Sequence, residues 1–187
     1  MAPIMSNLGR RSYRRRRRGR ARPRLVLALA ALGLGLACLP MVVRPAPLLV
    51  YNASASAPVG LYRVRPVSAV TRGDLLLVRT PDSVRDLAAE RGYLPLSVPL
   101  VKRVAALPGD WICTTGHSVY INGAAAARLL VIDRQGRPML SWSGCRLLNA
   151  GEIFLLMADV ADSFDSRYFG PVQTSAVIGR LTPLWLR

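Results

Sequence analysis

The only lysine of the chain, Lys102, lies in the apolar stretch Leu100–Ala106 and is the one side-chain amine that could act as a base. The other 25 of the 26 lysines and arginines are arginines, whose guanidinium stays protonated in practice. Burial among apolar side chains makes an amine lose its proton more readily, because desolvation disfavours the ammonium form. Lys102 is therefore the candidate general base, and its neighbour Arg103 should point to the opposite face of the strand.

Two serines, Ser54 and Ser56, are separated by one residue and followed by Pro58 and Gly60. In an extended segment, side chains at i and i+2 point the same way, so one hydroxyl could attack while the other donates a hydrogen bond. A serine hydroxyl needs a neighbour to take its proton, and a neutral lysine is a known partner. The alternative interpretation is a linker of small residues.

A third polar segment, residues 159–172, contains Ser163, Asp165 and Arg167. Taken alone, it predicts a polar loop in which the aspartate and the arginine form a structural clamp.

Together these segments resemble the serine–lysine signal peptidases, the type I leader peptidase family. The lysine segment of that family is similar to Val101–Asp110, its late box to Ser163–Gly170 and its nucleophile box to Ser54–Ser56. General leader peptidases place methionine after the nucleophile and proline third, whereas here Ala57 follows and Pro58 is second.

That departure, together with Asn52, Pro58, Gly60 and Tyr62, resembles the conjugative-transfer branch of TraF type. The resemblance runs from about Val50 to the C-terminus, with the segments in the family's order. It implies a mainly β fold, a signal-peptidase-like β-rich catalytic domain behind one N-terminal transmembrane helix.

The resemblance implies a role for each matching residue. These are Ser56 as nucleophile, Lys102 as general base, Ser54 as an oxyanion donor beside the Ser56 N–H, Ser163 as the group orienting the lysine, Asp165 and Arg167 as a structural ion pair, and Asp110 as a turn carboxylate beside the lysine strand.

A competing base is the sole histidine, His117, which a Ser-His-Asp triad would pair with Asp110, Asp133 or Asp159. It stands in the turn-like stretch Thr114–His117, and a solvated hairpin tip is the favoured interpretation.

The N-terminus predicts a membrane anchor. Residues 1–24 contain ten arginines and no acidic residue, and residues 25–43 carry no charge. Nineteen helical residues reach roughly 28 Å, and arginines favour the cytoplasmic side. We expect a cytoplasmic tail (1–24), a transmembrane helix (25–43), a linker (44–50) and a periplasmic domain (51–187), single-pass in the bacterial inner membrane.

Two alternatives concern this region. The arginines could bind nucleic acid, but a tail before an apolar segment is better explained by topology and anionic lipid, so no specific nucleic acid is expected. A cleaved signal peptide could end at Ala53–Ala55, although this site lies far beyond the apolar run.

The remaining body predicts short strands separated by turns, with a hairpin at Asn122-Gly123 and one helix from about Pro81 to Arg91, capped by Thr80 and ended by Gly92. The predicted strands are residues 75–78, 98–101, 119–121, 129–132, 153–156 and 176–178.

The cysteines outside the apolar segment, Cys113 and Cys145, are candidates for a disulfide in an oxidising compartment. Neither has a close partner at the spacing of a structural zinc site, so no metal and no cofactor is expected.

The sequence therefore predicts a membrane-anchored serine endopeptidase with a Ser/Lys dyad. It would remove signal peptides and mature, with or without cyclisation, a conjugative pilin. Its partners would be a signal-peptide-bearing membrane protein or pilin precursor and inner-membrane lipid. The alternatives are a general leader peptidase for exported proteins, or a non-catalytic anchored β-domain of a secretion apparatus.

Overall fold

The computed structural model describes residues 23–42 and 47–187. The chain divides into two compact units at the boundary between residues 45 and 46. Parts of three predicted segments lie outside the described residues: 1–22 of the tail, Val43 of the apolar segment and 44–46 of the linker.

The first unit contains helix α1, Pro23–Val42. Leucine and alanine favour a helix, and no acidic or basic residue interrupts the run after Arg24. Its large apolar side chains are exposed, with Leu27 at 69% and Leu34 at 67% of full accessibility. Within residues 23–42 and 47–187, no helix reaches the combination of length and apolar character that crossing a membrane requires.

The second unit is a β-rich body. Its elements in chain order are β1 Leu49–Asn52, β2 Gly60–Arg65, β3 Leu75–Val78, α2 Asp82–Glu90, β4 Leu100–Ala106, β5 Trp111–Thr115, β6 Ser118–Ile121, β7 Ala124–Arg128, β8 Gly144–Leu147, β9 Glu152–Leu156, α3 Ser166–Phe169, β10 Val172–Gln173, a 3-10 turn Thr174–Ala176, and β11 Val177–Leu186.

These strands form two antiparallel sheets. The larger has the order β1-β2-β11-β3-β4-β9-β10, and the smaller has the order β7-β6-β5-β8. Strand β4 lies between β3 and β9 in the larger sheet, with Lys102 opposite Leu76 of β3. A strand paired on both edges is held in register, so β4 is a rigid support for its lysine.

The core is built on both faces of β9, all five residues of which are buried. Ile153 and Leu155 pack with residues of β3 and β4, whereas Phe154 and Leu156 pack with Ile112 of the smaller sheet. The continuous apolar run of this strand follows from that double burial, because neither face meets water.

Cys113 of β5 and Cys145 of β8 occupy opposed positions in neighbouring strands and are joined by a disulfide, with 2.07 Å between the sulfurs. The pair predicted as a candidate is thus linked within the smaller sheet, where it closes a loop of 32 residues.

Several predicted elements match the structure. Strands β3, β6 and β9 lie where expected, and Asn122 and Gly123 both have positive φ in the β6–β7 hairpin turn. A type I′ turn requires this conformation at both central residues, which explains the Asn-Gly signal. Arg103 is exposed, as its alternation with Lys102 predicted.

The predicted strand at residues 129–132 is wrong, since only Ile132 forms an isolated bridge. Side chains of α3 form hydrogen bonds with the backbone in and just before this stretch. The Tyr168 hydroxyl accepts a hydrogen bond from the Leu130 N–H, and Arg167 donates one to the Arg128 carbonyl. The chain consequently leaves the sheet after β7.

The predicted helix lies at α2, but the expected cap is wrong. Pro81 occupies the N-cap position, and the buried Thr80 hydroxyl makes no hydrogen bond. Gly92 follows the C-cap residue Arg91 with a φ of +71°, as a helix-ending glycine does. Two predicted strands differ in extent from the structure. The strand expected at 98–101 is β4, Leu100–Ala106, and the strand expected at 176–178 is β11, Val177–Leu186.

Candidate active site

The serine loop, residues 53–59, connects β1 to β2. Ser54 and Ser56 lie in a turn and not in the extended segment expected from sequence. Their hydroxyls nevertheless meet, with the two Oγ atoms 2.9 Å apart, because the turn brings the side chains together. The Ser56 N–H donates to Ser54 Oγ at 3.2 Å. One predicted oxyanion donor is therefore bonded to the other in this structure.

Lys102 is 3% exposed on β4. Its Nζ donates to the hydroxyl of Ser163 at 2.8 Å, in the loop after β9. Desolvation is the largest influence on this amine and lowers the pKa of Lys102 to about 8; nearby Asp165 and Asp162 oppose the shift, and Arg167 adds to it. The group thus has a much larger neutral fraction than an exposed lysine at the same pH.

The Ser163 loop is held by a buried ion pair. One edge of the Arg167 guanidinium makes a bidentate contact with Asp165, at 2.8 Å from Nε to Oδ1 and 3.0 Å from Nη2 to Oδ2. The remaining N–H groups of Arg167 donate to the carbonyls of Met157, Ala161 and Arg128, so all five donors are used. Since both side chains are at most 1% exposed, this satisfied pair fixes the loop that presents Ser163 to Lys102.

Asp110 closes the turn between β4 and β5. Its carboxylate accepts hydrogen bonds from the Leu107 N–H, the Asn122 amide and Arg72. Desolvation alone would raise the pKa of Asp110, but these three partners together lower it below its ordinary value. These bonds tie the end of the lysine strand to Arg72 and to the β6–β7 turn.

One cavity of about 790 Å³ joins the two halves of the site. Ser54, Ser56, Lys102 and Ser163 all line it, whereas Asp110, Asp165 and Arg167 do not. The structure therefore brings the proposed nucleophile, base and orienting hydroxyl to one space and places the other three predicted residues in its support.

The histidine alternative is not supported by this geometry. His117 lies in the exposed turn between β5 and β6 and is not among the residues that line the cavity. Of its three candidate partners only Asp133 lines the cavity, and Asp133 bonds Tyr93 and Arg137.

Two features of the cavity escaped sequence reasoning. Asp133 accepts four hydrogen bonds, from Tyr93, Gln135 and twice from Arg137, and so holds two wall segments together. Asn52 bonds the serine loop from beneath. The contacts of Asn52 could have been suspected, because an Asn at a strand end before a loop of small residues is a local turn signal. The contact between Asp133 and Tyr93 could not, because these residues are 40 apart in the sequence.

The comparison with known proteins establishes the family. Residues 22–185 match the family described as signal peptidase, peptidase S26, and the chain belongs to it. The family resemblance and the β-rich, signal-peptidase-like fold predicted from sequence are thereby confirmed.

Within this family, the chain is similar to proteins of conjugal transfer. The conjugal transfer protein TraF of Agrobacterium fabrum is 35% identical over 151 residues, covering 72% of this chain and 80% of that protein. The plasmid transfer protein TraF of Escherichia coli is 36% identical over 144 residues, covering 71% and 80%. A crystal structure of a signal peptidase I from Enterococcus faecalis covers 62% of this chain and 99% of that chain, with 21% identity and a TM-score of 0.38.

We expect Asp165→Asn to lower the free energy of unfolding by about 3 kcal/mol or more, because the buried Arg167 charge loses its counter-charge. Denaturant titration of the purified full chain measures this. Asp162→Asn is the matched control: it breaks the ion pair with Arg134, whose side chain is 83% exposed, and should cost about 1 kcal/mol or less. Equal losses in the two variants would contradict the clamp.

Proposed function

We propose that the chain is a serine peptidase that removes signal peptides, with Ser56 as nucleophile and Lys102 as general base. One observation carries this proposal: the only lysine is buried, has its pKa lowered to about 8, and lines the same cavity as Ser56. At pH 7 about a tenth of such lysines are neutral, against under about 0.1% for an ordinary one. Burial therefore raises the supply of usable base by about two orders of magnitude.

The acylation step uses the neutral amine. The Ser56 hydroxyl proton moves to Nζ of Lys102 as Oγ bonds to the carbonyl carbon of the substrate, and the carbonyl electron pair moves to oxygen. Collapse of this tetrahedral species breaks the C–N bond, and the Lys102 ammonium gives its proton to the departing amine. Ser163 fixes rotation of the amine by accepting one of its N–H groups, which leaves the lone pair for Ser56.

The oxyanion would be stabilised by the Ser56 N–H and the Ser54 hydroxyl. In the free site the Ser56 N–H donates to Ser54 Oγ, so the substrate oxygen must take over that bond. This exchange requires the Ser54 side chain to rotate about its Cα–Cβ bond, so that Oγ leaves the Ser56 N–H and its own O–H can reach the substrate oxygen. A single donor of this kind typically contributes about 3 kcal/mol to the transition state.

The relatives suggest the substrate class. Two of them are named conjugal or plasmid transfer proteins, and we propose that this chain matures a signal-peptide-bearing pilin precursor. The acyl-enzyme formed on Ser56 would react either with water, which gives hydrolysis, or with an amine of the substrate, which gives a cyclic product. Both outcomes consume the same intermediate.

We further propose that residues 25–43 anchor the protein in the bacterial inner membrane, with the arginine-rich tail in the cytoplasm and the body in the periplasm. The exposed leucines of α1 support this, because such an apolar surface needs a cover other than water. Ten arginines before the helix favour the cytoplasmic side. A disulfide in the body fits an oxidising compartment.

We expect Ser56→Ala and Lys102→Ala each to abolish cleavage while the protein stays folded. Lys102→Arg should also be inactive, because a guanidinium cannot release its proton near neutral pH. The measurement is cleavage, by the detergent-solubilised full chain, of an internally quenched peptide with an Ala-X-Ala sequence before the scissile bond. His117→Ala is the control and should retain activity. An active Lys102→Arg variant would refute the lysine base.

The rate should rise with pH through a limb centred near pH 8. The base acts only when unprotonated, and desolvation lowers the pKa of Lys102 to about 8, so the active fraction grows as pH rises through that value. Asp162 raises the pKa of Lys102, so Asp162→Asn should move the limb to lower pH. The pH dependence of kcat/KM measures both. A limb near pH 6.5 that is lost in His117→Ala would identify histidine as the base instead.

Topology has its own test. Protease added to spheroplasts should digest the body and leave a short arginine-rich stub, because the membrane shields the tail and the anchor but not the body. N-terminal sequencing of the mature protein should begin near Met1. A mature protein that begins at Ser56, after the sequence Ala53–Ala55, would show a cleaved signal and refute the anchor.

A further inference from the structure

Asn52 lies directly beneath the serine loop. It is the last residue of β1 and is paired with Gly60, the first residue of β2, so it stands at the base of the hairpin whose loop carries Ser56. Its side chain is turned inward and is 5% exposed, whereas Ser54 above it is exposed. A buried amide in such a place requires partners for all of its polar atoms.

The loop backbone supplies those partners. The two N–H groups of the Asn52 side-chain amide are shared among the carbonyls of Ser54, Ala57 and Pro58, whose oxygens lie 2.9, 3.0 and 3.1 Å from the amide nitrogen. Its oxygen accepts the Ser54 N–H at 3.1 Å. One side chain therefore bonds four backbone groups spread over five consecutive residues of the loop.

Both backbone groups of Ser54 are bound by this amide, which fixes the residue from two sides. Ser54 Oγ in turn accepts the Ser56 N–H and lies 2.9 Å from Ser56 Oγ. The position of the proposed nucleophile thus depends on the amide through Ser54. Ser56, which lies between these carbonyls in the chain, lines the cavity.

We infer that Asn52 is a positioning residue for the peptidase reaction, holding the serine loop in the geometry from which Ser56 attacks; this rests on the proposed function. Asn52 touches neither the cavity's nucleophile nor its base through a hydrogen bond, so its effect passes through the loop. Displacement of a reacting group by about 1 Å is enough to cost roughly a hundredfold in rate.

A second bond to the same loop provides a graded comparison. The Tyr62 hydroxyl donates to the Pro58 carbonyl at 2.6 Å, so Pro58 is held by both side chains. Tyr62→Phe removes this single bond and leaves the four contacts of Asn52 in place. Its effect should therefore be smaller than that of a change at Asn52.

The experiment compares two variants of Asn52 in the full chain. Asn52→Asp keeps the shape and the acceptor for the Ser54 N–H but replaces the donor by oxygen, which faces three carbonyls. Asn52→Ala removes every contact. Asn149→Ala is the matched control, since Asn149 is exposed in a turn outside the cavity. The probe is the quenched Ala-X-Ala peptide, with kcat, KM, the pH limb and unfolding in denaturant measured for each protein.

We expect kcat to fall about a hundredfold in Asn52→Asp and Asn52→Ala and at most about tenfold in Tyr62→Phe. KM should change by less than about threefold, because the rest of the cavity is intact. In Asn52→Ala the ascending pH limb should stay within about 0.3 pH unit of its normal position, since Lys102 and Ser163 are held by other elements; Asn52→Asp adds a carboxyl to the same cavity, so the limb is compared only in the alanine variant. Asn149→Ala should be unchanged.

Three results would overturn the inference: kcat within threefold of normal in Asn52→Asp, a parallel rise in KM, or loss of the folded state in both Asn52 variants, which would make the residue a structural one. The proposed function itself would be overturned by a different result: an unaltered chain that cleaves the peptide no faster than Ser56→Ala. Failure of the inference about Asn52 and failure of the proposed function can therefore be told apart.

Discussion

Burial of the Lys102 amine is the constraint on which the rest of the site depends. Desolvation lowers its pKa from 10.5 to about 8, a shift that corresponds to about 3 kcal/mol of stability lost when the amine is protonated. Below about pH 8 the folded state bears this full cost, and the cost disappears as pH rises between the folded and unfolded pKa values. Strand β4 can hold the amine in place because β3 and β9 pair with both of its edges and the core packs around them.

Two loops, one after β1 and one after β9, line the same cavity as that amine, and each is held by its own side chains. The serine loop depends on Asn52 and Tyr62, and the Ser163 loop depends on Asp165 and Arg167. These two sets of bonds share no residue. The site is therefore assembled from separately supported parts whose common reference is the larger sheet, and the register of β4 between its neighbours sets the place at which they converge.

Much of this arrangement could be predicted from sequence, for identifiable reasons. A single lysine in an apolar run and two closely spaced serines are local patterns, and so are the alternating or continuous apolar residues of β3, β6 and β9. What could not be predicted depends on contacts between residues distant in sequence. The run at 129–132 has the composition of a strand, but side chains almost 40 residues away bind its backbone. The role of Asn52 likewise becomes visible only when four backbone groups converge on it.

The Asp165–Arg167 pair holds the Ser163 loop without placing an unbalanced negative charge near Lys102. A lone buried carboxylate near Lys102 would favour the ammonium form and raise the pKa of Lys102 toward its ordinary value, which would leave little neutral amine for the proposed role as a base. Asp165 does act in that direction, but Arg167 acts in the opposite one, and both lie in the same buried cluster. The loop thus gains a hydrogen-bonded support whose two charges shift the pKa of the amine in opposite directions. Desolvation, and not a neighbouring charge, is consequently left to decide the protonation state of Lys102.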